Sequence, residues 1–172
     1  YDEMAERWVQ YIKMQKEMNG LDIYAAGLHN EPELAMFYES CLYSPEQSLK
    51  LLKAMGSRFE KEGLNVKLYG PETCTGAGQL GSFVKAWAAD PVAMKYIYAF
   101  AVHGYGGDGI SQVKITRAEW IALGAMAKKY NKKLWMTETE GYGGDPWSRA
   151  IWMASAIATA IKYGDLSGWT WW

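Results

Sequence analysis

Five short apolar segments, at residues 22–28, 65–70, 96–102, 133–137 and 166–172, alternate with longer segments of helical periodicity. That alternation leaves the chain few folds. Strands separated by helices pair in parallel through right-handed crossovers. The five segments are apolar on both faces, as strands are when helices cover a sheet. The expected architecture is a single α/β domain over residues 1–172, with five parallel strands. The intervening helices carry local start and stop signals. Trp8, Tyr11, Ile12, Gln15 and Met18 fall at helical spacing over residues 4–18, and Asn19-Gly20 closes that helix. Ser44-Pro45-Glu46-Gln47 opens the next, with Ser44 as cap, Pro45 at the first helical position and Gln47 completing a capping box. Leu52, Met55 and Phe59 then share one face, and Gly63 ends the helix. Further helices are expected over residues 79–89, briefly after Asp90-Pro91, from Thr116 (boxed with Glu119) to Tyr130, and from Asp145-Pro146 to Tyr163-Gly164.

Composition excludes several function classes. Lysine plus arginine is 18 and aspartate plus glutamate is 19, a net charge of −1. Such a balance gives no electrostatic case for nucleic acid or an anionic membrane surface. No apolar run approaches the roughly 20 residues that a transmembrane helix needs. Cys41 and Cys74 are too few for a disulfide scaffold or a zinc cluster, and are read as buried thiols. No glycine-rich phosphate loop follows the first strand, and Gly106-Gly107-Asp108-Gly109 lacks the strand-to-helix context of one. There are 9 Trp and 12 Tyr against 4 Phe, an excess of rings with a polar edge that suits sugar stacking as well as core packing. The chain opens at Tyr1 and closes on Trp169-Thr170-Trp171-Trp172, inside an expected strand, so it reads as a piece or a processed form of a longer protein.

Polar residues gather at one end of the expected sheet. His29-Asn30-Glu31-Pro32, Pro71-Glu72-Thr73, His103-Gly104-Tyr105 and Glu138-Thr139-Glu140 each follow a strand. In α/β folds the site lies at the carboxyl ends of the strands. Glu31 and Glu138 end the first and fourth strands, far apart in sequence but at the same end of the sheet. Retaining glycoside hydrolysis requires two carboxyl groups about 5–5.5 Å apart, one donating a proton and the other attacking the anomeric carbon. Glu140 competes with Glu138, because residues two apart in a strand share a face. Asn30 is placed to hold a sugar hydroxyl. Glu72 binds sugar, positions Glu31 or caps its loop. His103 hydrogen-bonds a sugar or a catalytic carboxylate, or is a satisfied strand-end histidine. With His29 and His103 as the only histidines, no dedicated metal site is expected.

Asn30-Glu31-Pro32 and Thr137-Glu138 resemble the acid/base and nucleophile motifs of the retaining glycosidases built on (β/α)8 barrels, most closely glycoside hydrolase family 30. Two strands lie between the motifs, as in that clan. Glu33, Tyr38-Glu39-Ser40-Cys41 and Ser44-Pro45-Glu46-Gln47 resemble the stretch after the acid/base in its xylanase-like members. His103 and Tyr105 fall where the clan has an aromatic or His at strand six, and Trp172 falls near its strand-eight sugar platform. The resemblance implies that residues 1–20 are the third barrel helix and that the five strands are strands four to eight. A whole barrel takes about 250 residues, so the expected fold is a partial TIM-type (β/α) barrel.

The implied function is hydrolysis of β-linked glycans, with xylan first and β-glucans or β-glycosides open. Glu138 would be the nucleophile and Glu31 the acid/base, held protonated by the carboxylate beside it. Asn30, Glu72, His103, Tyr105 and Trp172 would bind the substrate, with no cofactor and no metal. A polymeric substrate suggests an extracellular protein. The alternative is a non-catalytic carbohydrate-binding domain, or an inactive fragment needing the rest of a barrel. Open strand edges at 22–28 and 166–172 invite pairing. Either they close on each other in a smaller barrel or another chain covers them by self-association.

Overall fold

Four of the six described helices begin where a side chain takes up free backbone N–H groups. The computed structural model describes residues 1–105, 114–140 and 144–172. Helix α1 (Asp2–Asn19) closes on Gly20, whose φ of 67° is a left-handed conformation that costs glycine nothing. Helix α2 (Pro45–Lys61) opens on Ser44. The Ser44 Oγ accepts from the Gln47 N–H at 3.2 Å, and the Gln47 side chain accepts from the Ser44 N–H at 2.7 Å. Helices α3 (Ala77–Ala88) and α4 (Pro91–Tyr96) follow, the latter capped by Asp90. Thr116 and Glu119 form the second capping box, at α5 (Arg117–Lys129). Asp145 caps α6 (Pro146–Gly164) by accepting from the Trp147 and Ser148 N–H groups. Each such cap stabilises its helix by about 1 kcal/mol. None of these helices is long and apolar enough to cross a membrane.

Strands β1 (Ala25–Gly27), β2 (Lys67–Thr73), β3 (Ile97–His103), β4 (Lys133–Glu138) and β5 (Gly168–Trp169) form one parallel sheet in the order β1-β2-β3-β4-β5. This is the expected α/β half barrel. The three central strands match the sequence reading to within three residues at either end, but the two outer strands are much shorter than 22–28 and 166–172. An edge strand is held from one side only, so its ladder runs no further than its single neighbour allows. Beyond it the chain still follows that neighbour through single bonds, Leu28 N–H to Tyr69 O at 3.1 Å and Thr170 N–H to Met136 O at 2.9 Å. Among the described residues β1 pairs only with β2 and β5 only with β4, so the edges do not close into a smaller barrel. The Gly106-Gly107-Asp108-Gly109 cluster lies outside the described residues.

The core lies between helices and sheet. Leu51, Leu52 and Met55 of α2, Trp87 of α3 and Leu123 of α5 are wholly inaccessible, packed with Leu68, Phe100 and Leu134 of the strands. Burying one such side chain contributes about 1.5–3 kcal/mol. Alternation turns the other strand face away from the helices. There Tyr69 and Tyr98 pack on Trp135, with ring centroids 5.3 and 5.7 Å apart, and Tyr98 meets Tyr24 near the β1 edge. Helices α5 and α6 approach closely at Gly124 and Gly164, where a Cβ on Gly124 would lie 2.7 Å from the Gly164 carbonyl oxygen.

Candidate active site

The carboxyl ends of the strands are locked together by backbone bonds that aim their polar residues inward. After β1, the Glu31 N–H donates to the Glu72 carbonyl at 3.1 Å. At β3 and β4, Gly104 N–H donates to Glu138 O at 3.0 Å and Tyr105 N–H to Cys74 O at 3.1 Å. The Trp172 N–H donates to Thr139 O at 2.9 Å, which carries the chain end over the same rim. Glu31 and Glu72 adopt φ values of 42° and 60°. Side-chain-bearing residues rarely take that left-handed conformation, and it concentrates where surroundings over-determine the backbone.

His103, the last residue of β3, is completely buried at the centre of this rim. Its Nδ1 lies 3.0 Å from Glu31 Oε1 and 3.9 Å from Glu138 Oε1, and its Nε2 lies 3.7 Å from Glu72 Oε1. Burial alone would pull the imidazolium toward its neutral form. The Glu31 and Glu72 carboxylates beside it, with the charge of Glu138, outweigh that and push its pKa up to about 9. One donor atom from each of Glu31, His103 and Glu138 falls within 4.8 Å of the other two, so the two carboxylates face each other at that range. A metal would need the ring's lone pair. With the ring protonated, its Nδ1 donates to Glu31 and the three groups form an ion-pair cluster.

Burial pushes the Glu138 carboxyl up, as do the charges of Glu31 and Glu72. His103 and a hydrogen bond from the Tyr105 hydroxyl oppose that rise. The Tyr105 hydroxyl is itself pushed up, by burial and then by the Glu138 charge, so it stays a donor. Above the cluster lies a groove of about 450 Å³ lined by Asn30, Glu31, Tyr38, Tyr105, Glu138, Glu140 and Trp172. A larger hollow of about 880 Å³ opens at the opposite end of the sheet, beside Lys67, Ile97 and Lys133. Several of its charged groups are already engaged, Lys95 with Glu60 and Lys132 with the Met94 and Ile97 carbonyls. The facing carboxylates are at the other end, so the groove, although smaller, is the candidate site.

The structure thus brings Glu31, Glu138, Asn30, Tyr105 and Trp172 to one groove, with Glu140 beside them. It separates out two residues expected to contact sugar. His103 and Glu72 do not line the groove, because both turn under the carboxylates into the sheet interior. Of the readings of His103, the contact formed is the one with a carboxylate, which also satisfies the buried strand-end ring. Tyr38 and Glu33 were not singled out as site residues. Tyr38 lines the groove, and Glu33, whose carboxyl burial pushes up, accepts from the Cys74 N–H at 2.6 Å. Their only sequence signal was membership of the stretch after Asn30-Glu31-Pro32. Cys74 is buried as expected, but Cys41 is exposed in the loop after β1.

His29 anchors the start of that loop. Its Nδ1 is 2.9 Å from the Pro71 carbonyl and its Nε2 is 2.7 Å from Ser48 Oγ. A carbonyl only accepts, so Nδ1 carries the proton and the neutral ring accepts the Ser48 hydroxyl at Nε2. Burial drives its pKa down to about 4.

Comparison with known proteins agrees with this geometry. The family model described as the glycosyl hydrolase catalytic core matches residues 6–167. Glucuronoxylanase XynC of Bacillus subtilis is 24% identical over 177 residues, covering 100% of this chain and 37% of the relative. The chain therefore spans less than two-fifths of the length of the curated relatives it matches. The family 30 subfamily 8 xylanase Xyn30A of Clostridium acetobutylicum superposes with a TM-score of 0.75 at 24% identity, covering 98% of this chain and 38% of that one. The endo-β1,6-glucanase BT3312 superposes at 0.76 with 24% identity, over 99% and 38% of the two chains. A family match over nearly the whole chain, on a half barrel whose strand ends hold two facing carboxylates, makes this chain a member of the glycosyl hydrolase catalytic-core family.

Proposed function

We propose that the chain cleaves β-linked glycans with retention of configuration, xylan first among them. The observation that carries the reading is the facing of Glu31 and Glu138, with carboxylate oxygens within 4.8 Å. That range sits beside the roughly 5–5.5 Å of retaining enzymes and well below the roughly 6.5–9.5 Å that leaves room for water in inverting ones. The Glu138 oxygen attacks the anomeric carbon as Glu31 protonates the departing glycosidic oxygen. Glu31, now ionised, takes a proton from water, and that water's oxygen displaces Glu138 from the sugar. Glu138 is preferred to Glu140 because Tyr105 donates to it and His103 lies 3.9 Å away. One proton must reside on the pair before the first step. Asn30, Tyr38, Tyr105 and Trp172 line the groove where a sugar would sit, and the exposed Trp172 ring suits stacking. The relatives named as a glucuronoxylanase and a xylanase support xylan over other β-glycans.

The open sheet supports a second reading, a carbohydrate-binding domain without turnover. Hydrolysis of xylan, aryl β-xyloside and aryl β-glucoside by this chain separates the two. Glu31→Ala should lower the rate about 10²–10⁴-fold. Glu138→Gln should abolish turnover while sugar binding persists. A wild-type rate in either variant would refute the assignment. Sugar binding with no product would favour the binding reading.

A further inference from the structure

The mechanism uses two carboxylates, yet a third is built into the same cluster. Glu72 stands in the left-handed conformation at φ 60° within β2, and its carbonyl holds the Glu31 N–H at 3.1 Å. Its carboxylate points under the groove to His103 Nε2, 3.7 Å away. That nitrogen is fully buried and has no hydrogen-bond partner among the described residues. Room for the Glu72 carboxylate is made by Gly27 at the end of β1, where any Cβ would collide with Glu72 Oε2. Three strands thus converge on one ring. The titratable groups facing His103 are Glu31 from the β1 loop, Glu72 from β2, Tyr105 after β3 and Glu138 from β4. Glu33 acts on it more weakly.

We propose that Glu72 is a positioning residue that keeps His103 an imidazolium, so that the ring donates Nδ1–H to Glu31 Oε1 and leaves Oε2 to carry the catalytic proton. The proposal rests on the glycosidase reading for its consequence, not for its geometry. With the ring charged, Nδ1 can only donate, so the Glu31 proton has no acceptor beneath it and stays on the groove side. Once the leaving group has taken that proton, the new Glu31 carboxylate faces a cation and is held in place as the base. With the ring neutral, Nδ1 can instead accept. The Glu31 proton would then turn down into the Glu31–His103 hydrogen bond, away from the glycosidic oxygen.

The test is the titration of His103, followed by NMR through its ring Cε1–H in wild type, Glu72→Gln and Gly27→Ala. His103→Gln assigns the signal, since the chain has only His29 besides. The wild-type ring is expected to hold its proton to about pH 9. Glu72→Gln should lower the midpoint by about 1 pH unit or more, the effect of losing an opposite charge at this range. Gly27→Ala displaces the carboxylate without removing its charge, and should shift the midpoint the same way by less. In hydrolysis, the alkaline limb of the kcat profile should fall with the His103 midpoint while KM holds. A Glu72→Gln midpoint equal to wild type overturns the proposal. A shifted midpoint in a protein that hydrolyses nothing supports the positioning role and counts against the glycosidase reading.

Discussion

The two histidines should give this fold a stability maximum near pH 6.5, with a separate histidine controlling each side. His103 has a folded pKa of about 9 against an ordinary 6.5. The native state holds that proton more tightly than the unfolded chain does. Its contribution is complete below about pH 6.5 and is lost as pH rises through about 9. His29 runs the other way, with a folded pKa of about 4 against 6.5. Its buried ring refuses a proton that the unfolded chain accepts. Its contribution is complete above about pH 6.5 and is lost as pH falls toward about 4. Each displacement spans about 2.5 pH units at about 1.4 kcal/mol per unit, or about 3 kcal/mol on either side. Against a typical total of about 5–15 kcal/mol this is a large fraction. For a chain of this size it moves the melting temperature by about 6–12 °C. Glu33 and Glu138, both pushed up chiefly by burial, partly mask the acid side, because the native state takes up their protons first. Urea unfolding across pH 4.5–9.5 should therefore be compared between variants. Against wild type, His103→Gln should lose most of the decline above pH 6.5, and His29→Asn should lose about 3 kcal/mol of the decline below it. Parallel curves for wild type and either variant would refute the corresponding assignment.

Two further expectations concern packing and assembly. Gly124→Ala places a methyl group 2.7 Å from the Gly164 carbonyl oxygen and 3.0 Å from its carbon, backbone atoms that move only if α6 moves. Overpacking should outweigh the gain in helix propensity and cost about 1–2 kcal/mol in urea unfolding, and an unchanged or raised stability would contradict the close approach of α5 and α6. The sides of β1 and β5 left unpaired among the described residues should drive self-association, seen by light scattering as a mass that rises with concentration; a clean monomer at all concentrations would refute it.

Much of the fold was legible because its determinants are local. A cap joins residues three apart, so Ser44 with Gln47 and Thr116 with Glu119 could be read directly. Strand type followed from apolar runs bounded by polar residues, and parallel pairing from the helices between them. The edge strands were overestimated because Tyr24 and Trp171 look as strand-like as Phe100, while ladder length depends on a neighbour that only the sheet supplies. Within the candidate site, the sequence placed Glu31 and Glu138 at the same end of the sheet by their position at strand ends. It did not place Tyr38, since nothing in a loop sequence says which way it folds over a groove.

By itself, then, the sequence determined the β/α alternation, the helix boundaries and the end of the sheet at which acidic residues collect. Tertiary structure alone decided that His103 is buried against Glu31, 72 residues away, that Glu72 faces the ring and not the groove, and that Gly27 leaves it room. The physical reason is range. Caps and periodicity act over a few residues of chain, whereas the charge state of a buried ring is a sum over carboxylates brought from three other strands.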